Sequence, residues 1–429
     1  MLTLIISGAA HSFCGTYVGS ADSNLLSHTS QVAMVRQANQ TTLTLANDYE
    51  GALSEFALVI PVPSVLNEED VSILDPSVLQ RAEIYSGPRL VEYSCEDFYS
   101  GWSPWSPSLG CQSEMMYESI ASEDSYGESS KESVQIESSF AVGEYELAVV
   151  SATNGEGLNT WLEINGFALG ANASDILQEY IEGESYFLVA KVTLDGLPEG
   201  QSWLSPLQLS YESPVFSLPI RLGTVNSPGE QDLLIYTLTD YEEGQIGIQN
   251  YEELTMETDC MLNSQDFGAD YGARLGSKMN EAGGAWIREY SWAPYHCDPC
   301  AEGDALSDED VQALGYDGSA FDAYFNRIRM RYTPEEAVED LVLYPSGIIE
   351  NSQMRYIQYS SELESRFPTC GIEWNADQDD SCQDLFDEWD KEAKREERGC
   401  FSSRPDGRAG TGALALVLTG LMLVRRRIT

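Results

Sequence analysis

The chain has 429 residues, with 70 Asp and Glu against 23 Lys and Arg, for a formal charge of −47. Affinity for nucleic acid comes largely from cations that displace counterions, so this balance excludes nucleic acid as a partner. Hydrophobic residues at 42 % and aromatics at 10 % are enough for real cores in two domains and argue against wholesale disorder.

Met1 to Ala10 is uncharged and apolar, and Ala10-His11-Ser12 places small residues where a signal peptidase inspects them. Residues 1–12 therefore read as a secretory signal cut after Ser12. The basic n-region is missing and the apolar stretch is short, which a misassigned start would explain. A buried first strand is the alternative for the same residues. Cys14 does not fit a lipoprotein signal, because Phe13 stands where a small residue is needed.

Val32, Met34 and Arg36 alternate, as do Thr42, Thr44 and Ala46, around a polar Gln37–Gln40 turn; the pattern predicts a hairpin. Phe56–Pro63 is apolar on both faces and predicts a central strand with its prolines at the end. A short helix follows, ended by Gly87-Pro88. Residues 94–133 are rich in Ser, Glu, Gly and Pro and read as an exposed acidic insertion. Its "GWSPWSP" reads as two aromatics pinning a disulfide-closed loop, with a carbohydrate or protein contact as the alternative.

Beyond the insertion, "FAVGEYELAVVSA" predicts a strand, and "GLNTWLEINGFAL" and "SDILQEYIEGE" two short helices, the second capped by Ser174. Further strands are expected at "YFLVAKVTL", "SPVFSLPIRLGTV", "DLLIYTLT" and "GGAWIREYSW". "SDEDVQALG" reads as a helix capped by Ser307 with acids in its first turn. "FNRIRMRYTPEEAVEDLVLYP" reads as strand, helical turn, strand, and "CQDLFDEWDKEAKREERG" as a surface helix. With strands in meander-like groups and no repeat, the expected class is α+β, strand-rich with largely antiparallel sheets and short helices. The expected domains are 13–225 and 226–398.

The C-terminal tail, 399–429, holds a sixteen-residue apolar run, Ala409–Val424, then Arg425, Arg426 and Arg427. At ~1.5 Å per residue this run is slightly short of a ~30 Å bilayer core. The arginines leave the bulk of the chain outside the cytoplasm. Cys400 after Gly399, the Ser402–Pro405 spacer, the Gly-rich apolar helix and the Arg cluster resemble the Myxo-type sorting tails of certain Gram-negative bacteria. That resemblance implies processing near Cys400 and display on the cell surface.

Apart from Cys400, eight cysteines remain: Cys14, Cys95, Cys111, Cys260, Cys297, Cys300, Cys370 and Cys382. An even set in an exported chain suits structural disulfides, whose connectivity the sequence leaves open. Cys297-Asp298-Pro299-Cys300 echoes a redox CxxC. However, Asp298 and the acidic "AEGDALSDED" disfavour the thiolate, so structural bonding is the first reading and thiol–disulfide exchange the alternative. His296, Cys297 and Cys300 lack a second ligand pair, so zinc is not expected. Asp377, Asp379, Ser381 and Glu388 fall at calcium-loop offsets, but Cys382 replaces the required glycine, and the acids read as helix-capping. No metal is expected. His28 and His296 are the histidines left after the signal, and no nucleophile elbow, zinc-protease motif or phosphate loop is present, so no cofactor is expected.

Seven blocks, "FCGTYVGSADSNLLSHTSQVAMVR", "LTLANDYEGALSEFALVIPVP", "YSGPRLVEY", "GLNTWLEINGFAL", "YFLVAKV", "SPVFSLPIRLGTVN" and "YHCDPC", stand in the order seen in the bacterial domain of unknown function 2330. The resemblance runs from about Phe13 to about Tyr356. It implies an exported bacterial protein and carries over no catalytic residue. The expectation is a surface-anchored, disulfide-braced, non-catalytic protein that either binds a protein or glycan at the cell envelope or serves envelope structure, meeting the membrane through its tail. The alternative is an extracytoplasmic enzyme, either redox at Cys297/Cys300 or a carboxylate-based hydrolase.

Overall fold

The computed structural model describes residues 16–19, 26–27, 30–46, 49–50, 56–91, 133–167, 169, 173–192, 204–225, 229–258, 260–261, 267–297 and 305–358. All of them fall in one compact unit, Met1–Glu92 with Gly110–Tyr359. Residues 94–132 of the 94–133 insertion, the helix expected after Cys382 and the tail lie outside the described residues.

Two sheets form the centre. The first takes β1 (Thr16–Gly19), β4 (Phe56–Val62), β6 (Val134–Val142), β7 (Tyr145–Ala152) and β8 (Tyr186–Val192), in the order β1-β4-β8-β7-β6, antiparallel throughout. The second takes β2 (Ser30–Gln37), β3 (Gln40–Ala46), β5 (Val71–Ile73), β9 (Leu207–Glu212), β10 (Gln231–Asp240), β11 (Glu253–Leu254), β12 (Ala285–Trp292) and β13 (Ala323–Tyr332). Its order is β11-β12-β13-β10-β2-β3-β9-β5, with Ser352–Gln353 added beside β12. The β10–β2 and β11–β12 pairs are parallel, so the architecture is strand-rich with mixed as well as antiparallel sheets.

Alternation places each sheet's apolar residues on two faces. Leu58, Ile60, Leu147, Val149 and Leu188 of the first sheet meet Met34, Leu43, Leu45, Ile235 and Ile328 of the second in one contiguous core. The outer face of the first sheet is covered by α2 (Gly155–Ile164) and α3 (Ala173–Glu182), through Leu158, Trp161, Leu162 and Leu177. The outer face of the second is covered by α1 (Ser77–Ser86) and α5 (Asp308–Ala313) on one part and by α4 (Phe267–Met279) on another. The result is four layers: helix, sheet, sheet, helix.

Several sequence expectations hold here. β2 and β3 form the hairpin, turning at Ala38–Asn39 with Ala38 at φ 51°. The Arg36 guanidinium ties that turn by donating to Asn39 O (3.1 Å) and Thr41 Oγ1 (2.8 Å). β4 lies inside its sheet, α1 ends at Ser86 before Gly87, and α5 carries Ser307 as its cap in a capping box.

Others are corrected. "FAVGEYELAVVSA" is not one strand: Gly143, at φ 56°, turns β6 back into β7. α3 opens at Ala173, so Ser174 lies in its first turn. "SPVFSLPIRLGTV" supplies only Ser217–Leu218 as strand and then a 3₁₀ turn at Leu222–Thr224, because its two prolines withhold backbone donors. β10 pairs with β2 from Leu233↔Ser30 to Thr239↔Arg36, so strands on either side of residue 225 share one sheet. No helix among the described residues is long and apolar enough to cross a membrane.

Candidate functional site

Of the residues singled out in the sequence, Cys260, Cys297 and His296 are described. Cys260 opens a two-residue strand parallel to Ile357–Gln358. Cys297 is partly buried against the cluster formed by Tyr85, Tyr290 and Phe325. Both cysteines are disulfide-bonded. Ser12, Cys14, Cys95, Cys111, Cys300, Cys370, Cys382 and Cys400 lie outside the described residues. Among the described residues no group of three His, Cys, Asp or Glu gathers in a way that could hold a metal.

The densest chemistry is a buried charge ladder on β13. Alternation sends Ile328, Met330 and Tyr332 into the core between the sheets, and Phe325, Arg327, Arg329 and Arg331 toward the helices. Arg327 forks onto Glu83 of α1, donating from Nη1 to Oε2 (2.8 Å) and from Nη2 to Oε1 (3.1 Å). Its Nε donates to Glu289 Oε2 at 2.5 Å. Arg329 forks onto Asp232 of β10 (2.8 and 2.7 Å), and Arg331 donates twice to Asp232 Oδ2 (3.1 and 2.9 Å). Tyr236 donates to Glu83 at 2.5 Å, and Tyr271 of α4 donates to Glu289.

Glu289 reaches this layer through an irregularity. The β12–β13 register shifts between Arg288 and Tyr290, so Glu289 is an extra residue in β12. Such a bulge lets consecutive side chains share a face, and both Glu289 and Tyr290 lie under the helices. Strict alternation would have sent one of them to the opposite face.

Three guanidiniums are thus matched by three carboxylates. Burial alone would raise Glu83 and Asp232, but Arg327 beside the first and Arg329 with Arg331 beside the second hold them below the usual carboxylate range. Burial opposes the Arg327 and Arg329 charges, yet Glu289 and Asp232 respectively raise both. Burial also raises the Tyr236 and Tyr271 phenols, keeping them protonated donors. Every shifted group here moves away from neutrality, so the ladder clamps two helices onto a sheet and offers no acid–base pair.

The second feature lies at the surface. β12 ends in Trp292 and the chain turns through Ala293–His296. Tyr85 Oη pins that turn by donating to Ala293 O (3.1 Å) and His296 O (2.6 Å). Tyr295 stacks on Phe321 at 4.3 Å and 26°, and His296 is tilted against Tyr295 at 4.4 Å. Phe321 sits on a separate 3₁₀ turn whose cap, Ser319, accepts from Phe321 N (3.2 Å). Asp308 accepts from Ser319 Oγ (2.8 Å) and Ala320 N (2.7 Å) and fixes the turn to α5. Phe321 remains 66 % exposed. Two independently anchored turns therefore hold a phenyl ring in solvent. The sequence carries no local signal for this, since Tyr295 and Phe321 approach only through the fold.

The profile of a family described as "Uncharacterized protein conserved in bacteria (DUF2330)" matches residues 8–344. The chain belongs to this family. No curated protein and no solved structure matches it. In this DUF2330 protein the family match spans both sheets, the ladder and the Tyr295–Phe321 stack.

Proposed function

We propose that the chain is an exported, disulfide-braced protein that acts by binding a protein or glycan at the bacterial envelope, without catalysis. The observation that supports it is the Phe321 ring, held flat on Tyr295 and open to solvent, a preorganised contact of the kind binding sites use. The charge ladder adds to this reading. Its acids and bases are tied to one another, so they are unsuited to proton transfer. Its three arginines and three carboxylates cancel in charge, so the formal −47 of the chain is carried by residues outside the ladder.

The compartment is part of the proposal. The tail at 399–429 anchors or sorts the chain, with processing near Cys400, and the eight remaining cysteines form bridges outside the cytoplasm. Co-sedimentation of the full-length chain with isolated envelope, compared with Phe321→Ala, tests the binding. Retention by the parent and loss by the variant is expected; equal sedimentation of both sinks it. Intact mass of the displayed form tests the compartment reading, which a species retaining Thr429 overturns.

A further inference from the structure

The Tyr295–Phe321 stack sits in surroundings that narrow what it can bind. Phe321 has its inner face against Tyr295, so one aromatic face and its edges are open. Its near neighbours are polar: exposed Asp322 follows it in the chain, Asp308 accepts from Ser319 Oγ and Ala320 N of its turn, and exposed His296 packs on Tyr295. Arg81, on the neighbouring face of α1, is engaged with Asp310 (3.6 Å) and Ala305 O (2.8 Å). A stable protein interface needs a broad patch with an apolar core, and a single ring with a polar, acidic surround does not supply one.

Resting on the binding reading above, we infer that this stack is a sugar-binding platform for a neutral or amino-bearing glycan of the envelope. A pyranose has one apolar C–H face with hydroxyls around its edge, which matches one exposed aromatic face carried on a turn that bears Asp322 and is held by Asp308. The carboxylates of Asp308 and Asp322 accept from hydroxyl or ammonium groups and repel uronate or phosphate sugars. A single stacking face gives an affinity on the order of millimolar per sugar, so retention on envelope comes from many copies displayed against a polymer.

Calorimetric titration of the full-length chain with cellohexaose, chitosan hexamer and hexagalacturonate tests this. The first two should bind and the polyuronate should not. Phe321→Ala should weaken binding about tenfold, whereas Phe321→Trp should keep it. Absence of binding to both accepted hexamers, or binding unmoved by Phe321→Ala, overturns the inference. The envelope assay separates the two readings. Phe321-dependent sedimentation that protease treatment of the envelope abolishes means a protein partner: the sugar class is then wrong while binding stands. Loss of both signals removes both.

Discussion

Arg327 and Glu83 are 244 residues apart in sequence and meet as a forked ion pair, with contacts of 2.8 and 3.1 Å. The same guanidinium holds Glu289, whose side chain is 0 % exposed, whereas that of Glu83 is 40 % exposed. The two carboxylates therefore differ in how much water can replace the cation. Removing Arg327 strands a charge only where water cannot reach it.

Arg327→Met is expected to cost about 3–5 kcal/mol, because Glu289 is left as a buried acid short of its principal partner. Glu83→Gln should cost under about 1 kcal/mol, since its partner keeps Glu289 and the site is half open. Urea midpoints of both variants check this. Equal losses would show that exposure does not govern the pair.

The pH dependence follows from Asp232 and Glu83, both held below the usual carboxylate range by their arginines once burial is outweighed. Their contribution is present above about pH 4 and is lost as pH falls through the lower folded values. Asp340 has the opposite sign: burial raises it, against hydrogen bonds from Tyr180 and the backbone of Arg221 and Ile220. Its contribution is present at low pH and declines as pH rises through the raised value. Asp232→Asn should flatten the acid arm of stability against pH. Asp340→Asn should gain on the parent as pH rises from 4 to 7 (about the carboxylate range and above). Chemical denaturation across that range reads both, and parallel curves for Asp232→Asn and the parent would refute the assignment.

Gly244 sits at φ 64°, and an added Cβ would lie 2.2 Å from Ile348 O. Gly166 has φ 90° with nothing within 4 Å. Gly166→Ala should cost about 1 kcal/mol for the backbone conformation alone. Gly244→Ala should cost clearly more, because a carbonyl must also move. Thermal melts that rank them in reverse would show that the close approach is relieved freely.

Phe325 lies four positions after Phe321, is 0 % exposed and stands edge-on to Tyr85 at 5.5 Å. Phe325→Ala should cost about 3–5 kcal/mol. Phe321→Ala should stay within about 0.5 kcal/mol of the parent, leaving binding as its readout. A large stability loss for Phe321→Ala would mean that the ring serves the fold.

Much of the local structure was legible. The β2–β3 hairpin shows in its alternation, α5 in Ser307 with its acidic first turn, and the end of α1 in Gly87-Pro88. α4 was missed because "FGADYGARLGSKM" carries three glycines, which lower helix propensity; burial of Tyr271, Leu275 and Met279 provides what propensity does not. The candidate site was less visible. The alternating arginines of "FNRIRMRY" read as a strand, but their carboxylates come from α1, β10 and a bulge in β12.

What the sequence by itself determined is the strand-rich character and the caps and turns, because each depends on composition or on neighbours within a few residues. The tertiary structure alone decided that strands on both sides of residue 225 share a sheet, that scarce arginines are spent inside, and that Tyr295 meets Phe321. Those outcomes depend on register between segments distant in the chain. A one-residue slip, such as the bulge at Glu289, changes which face a side chain takes, and no local pattern encodes it.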